Sequence, residues 1–428
     1  MKFMPRILAA AVSLAAVCSS QGADALYKKF EPADPTPRPQ ENIDWNEFVS
    51  FNARDEKSPR VLLVGDSIVN GFKEAAAARL GASGVNVSAW SSSMCASDPD
   101  YIFALNLAIE QGRWDAVGFH NGGHLHMPDW RARKAHIENA LDFISAKLPR
   151  AKLFLISRTP LKDGRKIADE ALFEISRERG IPIVDFISLM EGMDPGENWA
   201  GDGVHFREPG KRFQGDAVAK AALEALGMPG GRKAPAGFPP DAAGWGGAGY
   251  ILFRGFNTKS EEGERIVFLG GETRHAAEAV RERLASVANI SYCDTSTPVC
   301  DPDYARISGY ALSLLPPSAV VFAPPPPRPG GEAEWRAAYR EAVGRISASA
   351  ARPKLILCRA HGGSENAFIG ALAREKGLGV ADLPAGLGAP ASADALAEAV
   401  CRAFGWPADA RGNVVQKGTK AGPDGEIK

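Results

Sequence analysis

Long apolar runs are scarce in this chain, and the stretch that invites the question, Ile7 to Val17, is too short to cross a bilayer as a helix. A surplus of charge is missing too. Lys and Arg number 50 against 51 Asp and Glu, a formal net charge of −1, and the basic residues are dispersed. That removes the electrostatic case for a nucleic-acid or anionic-lipid partner. Cysteine is rare, six in 428 residues. No cysteine or paired carboxylate accompanies the histidines at 120, 124 and 126, whose spacing matches no established metal motif, so no metal site is expected. What remains is ordinary globular material, 45% apolar and 24% charged, enough for two cores.

The start differs from the rest. Lys2 and Arg6 precede the Ile7–Val17 stretch, and Ala23-Asp24-Ala25 follows as a small-x-small cleavage site, so residues 1–25 read as a signal peptide with Leu26 opening the mature chain. A periplasmic or secreted protein is expected. Lipoprotein processing at Cys18 is the alternative, although Ala15-Ala16-Val17 lacks the small residue usual directly before a lipidated cysteine. Removal of Cys18 leaves Cys95, Cys293, Cys300, Cys358 and Cys401. Cys293 and Cys300 stand close enough for a loop disulfide, and the other thiols read as small buried residues.

Two segments carry chemistry. Val61-Leu-Leu-Val-Gly65-Asp66-Ser67 is an apolar run ending at a glycine and a serine, as a buried parallel strand that stops at a functional turn requires. The helix former Lys73–Leu80 follows, which places Ser67 at a strand-to-helix turn near a positive dipole end. Far downstream, Asp202-Gly-Val-His205 sets a carboxylate three residues before an imidazole, so that Asp202 can hold one ring nitrogen while the other faces a serine.

Gly65-Asp66-Ser67 and Asp202-x-x-His205, one domain's length apart, resemble the first and last blocks of the SGNH (GDSL) hydrolase superfamily. The resemblance covers about Ser58 to Leu226. It implies a flavodoxin-like three-layer α/β/α fold with a parallel sheet, with Ser67 as nucleophile, His205 as base, Asp202 as its orienting acid, and no cofactor. After the strand Trp114–Phe119, the segment His120-Asn121-Gly-Gly-His-Leu-His126 resembles a variant of the third block, which makes Asn121 the side-chain donor to the oxyanion. His120 and Leu125 depart from that variant. In the second block, after Val85–Trp90, the family's glycine is replaced by Ser91-Ser92-Ser93-Met94-Cys95, so its backbone donor falls at Ser92 or Ser93.

The chain also repeats itself. Arg60–Ser67 aligns with Arg265–Glu272, Asp98-Pro-Asp-Tyr101 with Asp301-Pro-Asp-Tyr304, Lys152–Ile156 with Lys354–Cys358, and Arg177–Asp185 with Arg374–Asp382, all in one order. Two tandem SGNH-like domains are expected, and the chemistry does not recur in the second. Glu272 stands at the serine position, Pro324 at that of Asn121, and nothing after Asp382 resembles Asp-x-x-His. The expected layout is a leader (1–25), an N-terminal arm that is mostly loop (26–56), a hydrolase domain (57–227), a Gly/Pro-rich linker with a short ordered segment at Tyr250–Phe253 (228–262), a degenerate copy (263–407) and a flexible tail (408–428). The expected activity is hydrolysis of short acyl esters, acetyl above all, on a small molecule or polysaccharide. The alternatives are a noncatalytic carbohydrate-binding or envelope scaffold, and a lipase or acyltransferase of the same superfamily. Nothing in the residues sets an oligomeric state.

Overall fold

The computed structural model describes residues 26–35, 43–52, 55–121, 129–165, 169–231, 250–256, 263–271, 273–295, 297–301, 303–314, 316–360, 362–387, 389–407 and 414. Contacts divide the chain into two compact units, residues 1–39 with 48–248, and residues 40–47 with 249–428. The stretch expected to be a mostly irregular arm contains a strand, β1 (Ile43–Ser50). Its first residues group with the second unit, whereas Phe48 belongs to the first and packs edge-on against Trp114 at 6.4 Å.

The first unit alternates strand and helix: β2 (Arg60–Gly65), α1 (Ser67–Gly81), β3 (Asn86–Ser92), α2 (Tyr101–Ile109), β4 (Ala116–Phe119), α3 (Trp130–Lys147), β5 (Lys152–Ile156), α4 (Glu170–Arg179), β6 (Ile183–Val184), the short α5 (Phe186–Leu189) and α6 (Pro195–Asn198), and α7 (Glu208–Ala225). Every strand pairing from β2 to β6 is parallel, in the order β3-β2-β4-β5-β6. Counted from β2 this is 2-1-3-4-5, the flavodoxin-like doubly wound order. The apolar run on β2 explains its central place, since Val61, Leu62, Leu63 and Val64 are all fully buried and only a strand covered on both faces can bury consecutive residues. On one face Val61, Leu63, Val87, Phe154 and Ile156 pack with Val69 and Phe72 of α1 and Val218 and Ala222 of α7. The other face carries Trp90, whose ring meets Tyr101 of α2 at 5.4 Å. The result is a three-layer α/β/α fold.

The second unit comprises β7 (Tyr250–Phe256), β8 (Glu264–Gly270), α8 (Thr273–Leu284), β9 (Ala288–Asp294), α9 (Asp303–Leu314), β10 (Ala319–Ala323), α10 (Glu332–Ser347), β11 (Lys354–Arg359), α11 (Asn366–Lys376), β12 (Gly379–Asp382) and α12 (Pro390–Phe404). Its parallel strands run β9-β8-β10-β11-β12, again 2-1-3-4-5 from the first, and β7 pairs antiparallel with β9. The ordered segment expected inside the linker is therefore a strand of this unit, longer than anticipated. Cys293 and Cys300 are free thiols, so the loop disulfide that their spacing permits does not form. No helix among the described residues is long and apolar enough to cross a membrane.

Candidate active site

In a 2-1-3-4-5 sheet the crevice lies at the carboxyl ends of the strands, where the order reverses. The β2–α1 turn sits there. Asp66 is the N-cap of α1, its Oδ1 accepting the Ile68 N–H at 2.9 Å, so one orphan donor of the first turn is satisfied locally. Ser67 is the first helical residue. The helix therefore begins six residues before the Lys73 that opens its strongest helix-forming run, and a cap just ahead of the serine is the reason.

The Asp202–His205 segment returns to this turn on a braced loop. An antiparallel bridge joins Trp199 to Phe206, and their rings pack at 5.0 Å. The Trp199 indole N–H donates to the Pro160 carbonyl at 3.1 Å, and the Ala200 N–H to the His205 carbonyl at 2.8 Å. Gly203 adopts φ of +76°, a left-handed value that a side chain would strain, and its carbonyl accepts the Lys162 N–H at 3.0 Å. Directly beyond the loop, α7 crosses α1 so closely that a Cβ at Gly215 would stand 2.7 Å from the Ala76 nitrogen. That close crossing fixes the loop against Ser67.

His205 Nε2 stands 2.8 Å from Ser67 Oγ, and His205 Nδ1 stands 2.7 Å from Asp202 Oδ2. A carboxylate can only accept, so Nδ1 carries the proton and Nε2 presents a lone pair to the serine hydroxyl. The other carboxylate oxygen of Asp202 accepts the backbone N–H groups of His205 at 2.9 Å and Val204 at 3.0 Å. Bonding to the His205 ring first, and then to these two amides, holds the Asp202 carboxyl down at about 2. Asp202 and His205 are about half exposed, and the site opens to solvent. Ser67, Ile68, Asn70, Gly71, His205 and Phe206 are among the residues lining a cavity of about 350 Å³ that Lys211 and Gln214 of α7 complete.

Asn121 follows β4 and is buried. Its Oδ1 accepts the Ala96 N–H at 3.0 Å and its Nδ2 donates to the Tyr101 hydroxyl at 3.4 Å, so the amide is locked with its oxygen toward the loop after β3. Ser93 lies in that loop, fully buried, beside Ser92, whose hydroxyl accepts the Met94 N–H at 3.0 Å. Glu272, His124 and His126 fall outside the described residues. Among those described, no cluster of three His, Cys, Asp or Glu side chains could hold a metal ion. The residue that sequence reasoning passed over is His120. It appeared as a departure from a motif, and it is buried against Asp66, with His120 Nε2 3.2 Å from Asp66 Oδ2.

No family model and no curated protein matches the chain. Solved structures do. A lipase from a goat rumen metagenome is 15% identical, with 40% of this chain and 100% of that one covered, at a TM-score of 0.33. A member of the lipolytic G-D-S-L family from Veillonella parvula is 19% identical over 39% of this chain and 97% of its own, at 0.31. A carbohydrate esterase family 3 protein from Talaromyces cellulolyticus is 16% identical over 40% and 98%, at 0.31.

Proposed function

We propose that the first unit is a serine ester hydrolase. The single observation that carries this reading is the unbroken chain Ser67–His205–Asp202, with contacts of 2.8 and 2.7 Å. In the reaction His205 Nε2 takes the Ser67 proton as Oγ attacks the ester carbonyl, and the acyl group becomes bonded to Ser67 while the alcohol leaves with that proton. Water then attacks the acyl-enzyme by the same route, releasing the acid and restoring the hydroxyl. Asp202, ionised throughout the working range, keeps His205 in the required tautomer and stabilises the imidazolium. The Asn121 amide and the backbone N–H groups of Ser67 and Ser93 receive the developing oxyanion.

The substrate reading is an acetyl or other short acyl ester on carbohydrate, met by an exported protein. The modest cavity beside Ser67 supports the short acyl group, and the charged-then-apolar start of the sequence supports export. The second unit is read as a degenerate copy without turnover of its own; its matching strand order and the four aligned sequence pairs support that. Turnover of p-nitrophenyl esters of increasing chain length by the full chain, with Ser67→Ala as control, tests the activity. Release of acetate from an acetylated polysaccharide tests the substrate. Hydrolysis that survives Ser67→Ala, or that favours long acyl chains, counts against the respective part.

A further inference from the structure

The mechanism above leaves His120 without a task, yet the chain buries this histidine, 1% exposed, beside the nucleophile turn. Its ring nitrogens face two oxygens. Nε2 stands 3.2 Å from Asp66 Oδ2, and Nδ1 stands 3.1 Å from the Ile156 carbonyl at the end of β5. Both oxygens only accept, so a neutral imidazole, with one N–H, sets a nitrogen lone pair against one of them. The doubly protonated ring donates from Nδ1 to the carbonyl and sets a positive charge at ion-pair distance from the carboxylate. We propose that His120 is held as an imidazolium whose ion pair with Asp66 fixes the carboxylate that caps α1 immediately before Ser67, which makes it a positioning residue for the nucleophile.

The geometry explains how such a ring acts at a distance. Asp66 uses Oδ1 on the Ile68 N–H and turns Oδ2 toward His120, so the ring sets the rotation of the carboxylate and with it the start of the helix. The same residue is tied by its own N–H to the Val64 carbonyl at 2.8 Å and immediately precedes Asn121. One side chain thus braces the serine turn and the strand end that carries the amide. Burial disfavours charge on His120, while Asp66, the Ile156 carbonyl and Asp169 favour it, and the balance raises His120 above the usual histidine value. The other groups facing this cluster fit. Arg158, after β5, acts on both Asp169 and Asp66, and Tyr101 of α2, which senses Asp66, is kept neutral by burial.

The sign of the pH dependence follows from that raised value. The pair is fully formed below the ordinary histidine titration and is lost as pH rises through the titration of His120 in the folded chain. Resting on the reading of Ser67 as nucleophile, this places an alkaline limb on kcat, where a neutral His205 alone gives a plateau. Imidazole nitrogen spectra of the full chain with isotope-labelled histidine, at a pH of about 7.5, read the charge directly, above the ordinary histidine range. One ring is expected to stay doubly protonated beyond the ordinary histidine range, a signal absent in His120→Gln and lost at lower pH in Asp66→Asn. In ester turnover His120→Gln is expected to lower kcat roughly 10²-fold with KM kept, and to remove the alkaline limb. A neutral His120 in an active enzyme, or an Asp66→Asn chain in which its titration does not move, overturns the ion pair while leaving the hydrolase reading intact. A doubly protonated His120 in a chain without ester turnover overturns the hydrolase reading and the positioning role together.

Discussion

In the first unit the helix after the leading strand is capped from within its own turn, by Asp66; in the second the corresponding helix end is capped from a neighbouring strand, by Asp294 at the end of β9. The positions correspond. Val64 pairs with Phe119 as Leu269 pairs with Phe322, so Gly271 stands where Asp66 does and Pro324 where Asn121 does. Gly271 has no side chain to cap with. Asp294 instead accepts the Thr273 N–H at 2.5 Å, the Arg274 N–H at 3.1 Å and the Thr273 hydroxyl, which places a carboxylate on the donors at the helix start. Burial, the largest influence, raises the Asp294 carboxyl despite those bonds. The ends of β8 and β10 close as well: the Gly271 N–H donates to the Ala323 carbonyl at 3.0 Å, and a Cβ on Gly270 would collide with that same oxygen. The lesson is that one strand order supports either an open or an occupied helix terminus. A cap supplied locally leaves the mouth of the crevice to a substrate, whereas a cap reaching across the strand ends fills it.

The largest effect that can break this contrast is Ser67→Ala. Ester turnover by the full chain should fall roughly 10⁶-fold in kcat, because no second nucleophile is expected in the other unit. Substantial residual turnover, measured with a chromogenic acetate, would assign chemistry to the second unit. Asp202→Asn should follow at about 10⁴-fold, since the imidazole loses its orienting carboxylate while the fold persists. With Asp202 held at about 2, its carboxylate stays ionised across the working range, and activity should show no loss in the ordinary carboxylate range. Loss tracking a carboxylate titration would refute this expectation.

Asn121→Ala should cost on the order of 10²–10³-fold in kcat with little change in KM, the magnitude for one oxyanion donor. A pure KM effect would demote the amide to packing. The smallest effect sharpens the comparison from the other side. Asp294→Ala removes the cap of α8 and should lower stability by about 0.5–2 kcal/mol in urea unfolding, with ester turnover unchanged. A drop in turnover of the same fully folded variant would show that the second unit takes part in the reaction.

Much of the fold could be read in advance because the signals are local. A strand buried on both faces must be apolar without interruption, and Val61–Val64 and Ile266–Leu269 are. The irregular-looking stretches misled for an equally physical reason. β1 carries Asp44, Asn46 and Glu47 among its apolar residues and so lacks the sustained alternation or run by which a strand is recognised, whereas the apolar start of β7, Tyr250–Phe253, is legible and only its continuation through Arg254 and Gly255 to Phe256 is not. The candidate site divides in the same way. Gly65-Asp66-Ser67 and Asp202-x-x-His205 name their residues through spacing, but their 2.8 Å meeting depends on the crossing of α7 over α1 at Gly215.

The sequence by itself determined the strand order's raw material: the buried runs, the glycine and capping residue that end β2 at Ser67, and the carboxylate three residues from its imidazole. Only the tertiary structure decided that His120 lies against Asp66 and the Ile156 carbonyl, that Asn121 is locked by Ala96 and Tyr101, and that Asp294 occupies the terminus of α8. Each of these joins residues from different strand ends, and the sheet, not the spacing along the chain, brings them within hydrogen-bond reach.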